Sequence, residues 1–174
     1  MLDQSAKVGV VGGGLAGTSV AHALLKQGYD LVHYDHVTVG NASNVAAGMF
    51  NYVTGKQMKL SWKAIQQLKL LKKWHKDLPP SCNQYVYNHD VVRPFLSLQE
   101  QQRWTNKLAE DDALEQLVGV ETTPLSPQIV HNPYGYLRVD AGWVDIAGLT
   151  TALKSELNLS ARYTRLEKAF KYDA

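Results

Sequence analysis

Gly12, Gly14 and Gly17 make a G-x-G-x-x-G run near the start of a 174-residue chain, and Asp35 follows the last of them. The separation is close to the roughly 20 residues at which an acid in such a unit grips the hydroxyls of a ribose. Each glycine has its own task in that chemistry. Gly12 permits a tight turn, Gly14 lets a pyrophosphate approach the backbone, and Gly17 lets a helix close on its strand. A helix starting here presents unpaired N–H groups and a partial positive charge to phosphates. Gly13, Leu15 and Ala16 fill the other loop and first-turn positions and His36 adjoins the acid, so all four join the candidate cofactor-binding residues. A carboxylate at 35 suits a free ribose 2′-hydroxyl and repels a 2′-phosphate, and no arginine stands close by. NADP is therefore disfavoured, and NAD or FAD remains.

The elements that must position these residues are readable around them. Val8, Val10 and Val11 form a β-branched run suited to a buried parallel strand. Leu15 to Gln27 has apolar residues at helical spacing, and Gly28 suits the left-handed position just past its end. Leu31 to Tyr34 predicts a second strand ending at Asp35, which completes a βαβ unit of about 30 residues. Residues 39–54, rich in Gly, Ala, Asn and Ser, predict a loop with one helical turn. From Lys59 to Lys76 a helix is expected, with Leu60, Ile65, Leu68, Leu71 and Trp74 on one side and Lys59, Lys63, Lys69, Lys73 and Lys76 on the other. Pro79 and Pro80 end it. Beyond them, 85–87 and 91–93 read as strands around a turn at 88–90. Ser97 and Glu100 read as a capping box before a helix to about Glu110, with a short helix at 113–118. Strands are expected at 128–131 and 136–139, joined by the Asn132-Pro133-Tyr134-Gly135 turn. Asp145 is a good N-cap for a helix over 146–157, and 161–172 predicts a terminal strand or hairpin fragment.

A second small-residue loop follows the acid. Ala42, Ser43, Ala46, Ala47 and Gly48 leave backbone N–H groups accessible to a pyrophosphate or a flat ring, which a simple NAD dehydrogenase does not need. With the glycine loop and Asp35, three stretches resemble the FAD-dependent D-amino-acid oxidase superfamily of glycine oxidase-like and sarcosine oxidase-like flavoproteins. They are Gly40-Asn41-Ala42-Ser43, Ala46-Ala47-Gly48-Met49 and Ala141-Gly142-Trp143-Val144-Asp145. The resemblance implies an α/β fold with a Rossmann-like FAD-binding βαβ core, interleaved with part of an α+β substrate domain. Residues 1–78 would be an FAD-binding segment. Residues 79–137 would be a substrate-domain-like segment, similar in texture only. Residues 138–174 would return to the FAD-binding domain and stop early. FAD is the implied cofactor, with Ala42, Ser43, Ala47, Gly48 and Met49 lining its flavin end. The implied reaction oxidises the C–N bond of an amine or amino acid, with hydride passing to the flavin. The family more often has Glu where Asp35 stands, and a basic residue is common at the position of His36. Its substrate-gripping groups come largely from the later half of a longer chain, so no catalytic residue is carried over.

The remaining features point to ordinary globular structure. Hydrophobic residues make up 45% and charged residues 20%, which excludes a disordered chain. The 18 Lys+Arg against 16 Asp+Glu leave a charge of only +2, so neither nucleic acid nor membrane is expected as a partner. Residues 1–7 lack a signal-peptide core and no apolar run reaches membrane-spanning length, so a cytoplasmic protein is expected. Cys82 is the single cysteine, which excludes an internal disulfide, and the six histidines show no metal-ligand spacing. His22 and His33 read as structural, and the lysines of 56–76 as a solvated helix face. Lys56 or Thr54 is a weak candidate for touching flavin or substrate. Tyr134, Tyr136 and Arg138 suit either a carboxylate pocket or cross-strand packing. Two further readings stay open: a small NAD-dependent dehydrogenase, and a non-catalytic dinucleotide-binding or assembly module that needs a partner chain. Self-association or a partner chain is expected because the family's fold looks truncated here.

Overall fold

The computed structural model describes residues 7–36, 41–54, 59–126 and 132–167. β1 (Lys7–Val11) runs through the glycine turn into α1 (Leu15–Lys26), and β2 (Asp30–Tyr34) returns beside β1. α2 (Ala42–Val45) is a single turn whose Asn44 N–H donates to the Asn41 side chain at 2.9 Å. β3 (Met49–Asn51), β4 (Val53–Thr54) and β5 (Lys59–Leu60) precede α3 (Ala64–Asp77). A 3-10 helix over Pro80–Tyr85 leads to β6 (Val86–Asn88), β7 (Val91–Pro94), α4 (Leu98–Ala109), α5 (Asp112–Glu115) and β8 (Val118–Glu121). β9 (Tyr136–Val139), β10 (Ala141–Val144), α6 (Ile146–Asn158) and β11 (Tyr163–Leu166) complete the order.

The chain forms two compact units, each assembled from separated stretches. The first takes Met1–Gly48, Leu78–Val86 and Val144–Ala174. Its sheet has the order β1-β2-β11 and is parallel throughout, with Lys7 opposite Asp30, Tyr163 opposite Leu31 and Leu166 opposite Tyr34. Helices α1 and α6 pack together. Val10, Ala21, Tyr29, Leu31, Leu157 and Tyr163 form the core. Gly28 follows α1 at φ +89°, a conformation that a residue with a Cβ adopts only at a cost. Asp145 caps α6, its carboxylate accepting from the Gly148 N–H at 2.9 Å.

The second unit takes Met49–Asp77 and Tyr87–Trp143. Its core gathers Tyr52, Val53, Phe95, Trp104, Leu114, Leu117 and Leu137. The sheet order β7-β9-β8 is antiparallel, and β10 pairs antiparallel with β3. Ser97 caps α4, accepting from the Glu100 N–H at 3.2 Å, while the Glu100 carboxylate takes the Leu96 N–H at 3.0 Å and Arg93 at 2.9 Å. No helix among the described residues is long and apolar enough to cross a membrane.

Several sequence expectations change. The helix expected from Lys59 begins only at Ala64, because Lys59 and Leu60 pair as β5 with Thr54 and Val53. Its apolar side, Ile65, Leu68 and Leu71, packs on the second unit's core, and α3 lies within that unit's stretch Met49–Asp77. β6 and β7 are not partners across 88–90: β6 joins the sheet β3-β10-β6, while β7 pairs with β9. The short helix ends at Glu115, and residues 118–121 are strand β8, whose Val118 meets Val139. The strand expected at 128–131 lies outside the described residues, as do Gly40, Lys56 and residues 168–172.

Candidate cofactor site

The glycine turn between β1 and α1 is held from inside. Gly12 has φ +100°, its N–H donates to the Tyr34 carbonyl at 2.8 Å, and its carbonyl lies 2.9 Å from His33 Nε2. The Gly13 carbonyl accepts from the buried Thr18 hydroxyl at 3.4 Å. A Cβ at Gly17 would overlap the Gly12 carbonyl, and a Cβ at Gly13 would overlap the Asp35 carboxylate. At Gly14 a Cβ would come within 2.7 Å of Ser43 Oγ. The steric reasons at 13 and 14 thus come from the side chains of Asp35 and Ser43.

Gly14 is the N-cap of α1 and offers no side chain, and the first turn carries no acid. The Leu15 N–H is taken instead by Ser43 Oγ at 3.0 Å. The small-residue loop therefore reaches the positive end of the helix, where an anion is stabilised. Gly12, Gly13, Gly14, Asp35, His36, Asn41, Ala42 and Ser43 line one cleft of about 260 Å³. Leu15, Ala16 and Gly17 form the adjoining first turn of α1. Ala47, Gly48 and Met49 do not line this cleft. Gly48 accepts from the Val144 N–H at 3.0 Å, and Met49 lies exposed on β3 in the other unit.

Asp35 is the acid that lines the cleft, and 6% of its side chain is exposed. Its Oδ2 meets Lys154 Nζ of α6 at 2.8 Å and Arg165 Nη2 of β11 at 2.9 Å. Desolvation alone would raise this carboxyl. The Lys154 hydrogen bond and charge, followed by those of Arg165, outweigh it and hold the pKa below the ordinary value. This corrects the expectation that no arginine stands near the acid. Parallel pairing sets Arg165 opposite His33 across β2, two residues before Asp35, and no sequence-local signal reports that proximity. The Glu167 carboxylate shares the Arg165 guanidinium at 3.2 Å.

Other candidates are engaged elsewhere. Arg138 pairs with Asp90 at 3.1 Å and Glu121 at 3.7 Å within the second unit, so its charge is matched by its own neighbours. Cys82 is fully buried, and burial pushes its thiol up, which makes it a poor nucleophile. Among the described residues no group of three His, Cys, Asp or Glu side chains could hold a metal ion.

The residues of the cleft fit a dinucleotide. Small residues and a helix N-terminus suit a diphosphate, and a desolvated, ionised acid at the end of β2 suits ribose hydroxyls. No curated protein sequence matches the chain. Solved structures share its fold. Glycine oxidase from Geobacillus kaustophilus superposes with a TM-score of 0.64 at 19% identity, over 91% of this chain and 45% of that one. Iminodiacetate oxidase from Chelativorans sp. BNC1 gives 0.66 at 15% identity, over 92% and 46%. L-proline dehydrogenase from P. horikoshii gives 0.60 at 16% identity, over 95% and 45%. The chain thus spans less than half the length of these proteins. A family model described as FAD dependent oxidoreductase matches residues 7–162, which sets FAD rather than NAD as the dinucleotide, and the chain belongs to that family.

Proposed function

We propose that this chain carries the FAD-binding portion of a flavin-dependent oxidoreductase that oxidises the C–N bond of an amine or amino acid. The observation that carries the reading is the cleft at the N-terminus of α1, where the glycine turn, Ser43 and an ionised Asp35 converge. The names of the structural relatives, which refer to glycine, iminodiacetate and L-proline, support the substrate class. Gly12, Gly13, Gly14, Leu15, Ala16 and Gly17 would hold the diphosphate through backbone N–H groups. Asp35, with His36 beside it, would hold the adenosine ribose. Ala42 and Ser43 would flank the diphosphate, with Ala47, Gly48 and Met49 toward the flavin end. FAD, when bound, supplies the acceptor for the two electrons that leave the substrate. The first unit would then be the cofactor unit, and the second would contribute to the substrate side.

The test is flavin retention. Purified chain incubated with FAD and desalted should keep the flavin absorbance, and Asp35→Ala should lose most of it. A protein that stays colourless after micromolar FAD, or an Asp35→Ala variant that retains flavin as well as the parent, overturns this assignment.

A further inference from the structure

Position 33 is the fourth residue of the central strand β2, in a parallel sheet whose interior ordinarily takes apolar side chains. Here it is a histidine with 0% of its surface exposed. A buried imidazole is costly unless both nitrogens are satisfied, and both are. Nδ1 lies 2.7 Å from the Tyr163 hydroxyl of β11, and Nε2 lies 2.9 Å from the Gly12 carbonyl. The rings of His33 and Tyr163 meet edge to face at 74°, with centroids 5.8 Å apart.

These partners fix the tautomer. A carbonyl oxygen only accepts, so Nε2 must carry the proton and donate to Gly12. In the neutral ring Nδ1 is then bare and accepts from the Tyr163 hydroxyl. Burial pushes the Tyr163 phenol up, which keeps that hydroxyl protonated and able to donate. The next residue of β2, Tyr34, accepts the Gly12 N–H at 2.8 Å. Two successive residues of one strand therefore hold Gly12 at both of its polar groups, one through a side chain and one through the backbone. The same carbonyl is the atom against which Gly17 closes, so its direction also sets how α1 begins.

We propose that His33, kept in its Nε2–H form by Tyr163, is a positioning residue for the cofactor loop: it turns the Gly12 carbonyl inward and thereby sets the loop's affinity for a dinucleotide diphosphate. The affinity part rests on the reading that this loop holds FAD. The loop geometry does not depend on it.

Two replacements separate the roles of the ring. His33→Gln puts an amide donor near the Nε2 position and can still reach Gly12. His33→Asn puts its amide near Nδ1 and is too short to do so. FAD or ADP binding, followed by calorimetry, should weaken about tenfold in His33→Asn, as loss of one hydrogen bond with an unpaired carbonyl implies. It should stay within about threefold of the parent in His33→Gln, since the donor is kept. Amide exchange at Gly13 and Gly14, read without nucleotide, should be faster in the Asn variant than in the Gln variant. In the unaltered chain, a long-range proton–nitrogen spectrum should show His33 protonated at Nε2 and bare at Nδ1. A proton on Nδ1, or equal loop exchange in the two variants, overturns the proposal, and the spectrum decides even if neither variant folds. If the parent binds neither FAD nor ADP while the tautomer and exchange results hold, the cofactor reading fails and the positioning of the loop stands.

Discussion

Asp35 is an acid whose ionised form is favoured by partners from two other elements. Its folded pKa lies below the ordinary 3.8, so the stability it contributes is present above that value and is lost as pH falls through the lowered one. The parent and Asp35→Asn should therefore differ fully in urea melts near neutral pH and draw together as pH falls from 3.8 through the lowered pKa. A difference that persists unchanged in acid would contradict the pairing with Lys154 and Arg165. Gly17 makes a sharper steric statement. An alanine there drives its Cβ into the Gly12 carbonyl, so Gly17→Ala should cost about 1–3 kcal/mol of stability, measured by chemical unfolding. Cys82 should resist thiol reagents in the native protein and react once the chain is unfolded, because it is fully buried. Rapid native labelling would show that its surroundings open. At this scale the spacing proposes Gly12, Gly14, Gly17 and Asp35 as cofactor residues, and the fold gathers Gly12, Gly14 and Asp35 in one cleft. The spacing missed Lys154 and Arg165, which reach Asp35 only across the sheet.

Elements with a local signal form where the sequence put them. α1, α4 and α6 have apolar spacing and a start signal within a few residues, and Ser97 and Asp145 both accept the expected N–H. Asp145→Ala should lower stability by about 1 kcal/mol in a denaturant melt, the ordinary worth of a cap. A neutral result would mean that packing of Leu149, Leu153 and Leu157 alone sets where α6 begins. Unread were the 3-10 helix over Pro80–Tyr85 and five of the short strands. β4 and β5 have two residues each, β3 three, and β8 and β10 four, too few to show a period. Each exists because a partner strand offers its N–H and C=O groups. Lys59 and Leu60 therefore pair with Thr54 and Val53 although their side chains continue the helical pattern of α3.

Across the whole molecule, two units are each built from stretches that alternate along the chain, with Leu78–Val86 and Val144–Ala174 returning to the first. Large apolar side chains stay exposed in both: Val11 and Val45 in the first, Trp62, Leu70 and Leu96 in the second. Taking such side chains out of water by self-association is favourable, so sedimentation velocity should show a species that grows with concentration. A single monomeric species at every concentration would count against it. The sequence by itself determined the βαβ start, the glycine turn, the acid at the end of β2 and the family, because each is written in residues that lie close together along the chain. The tertiary structure alone decided that Asp35 is held by Lys154 and Arg165, that Ser43 meets the first N–H of α1, and that His33 joins Tyr163 to Gly12. Parallel pairing of β11 with β2 brings residues from the two ends of the chain side by side, and that pairing is a property of the folded sheet rather than of any local stretch.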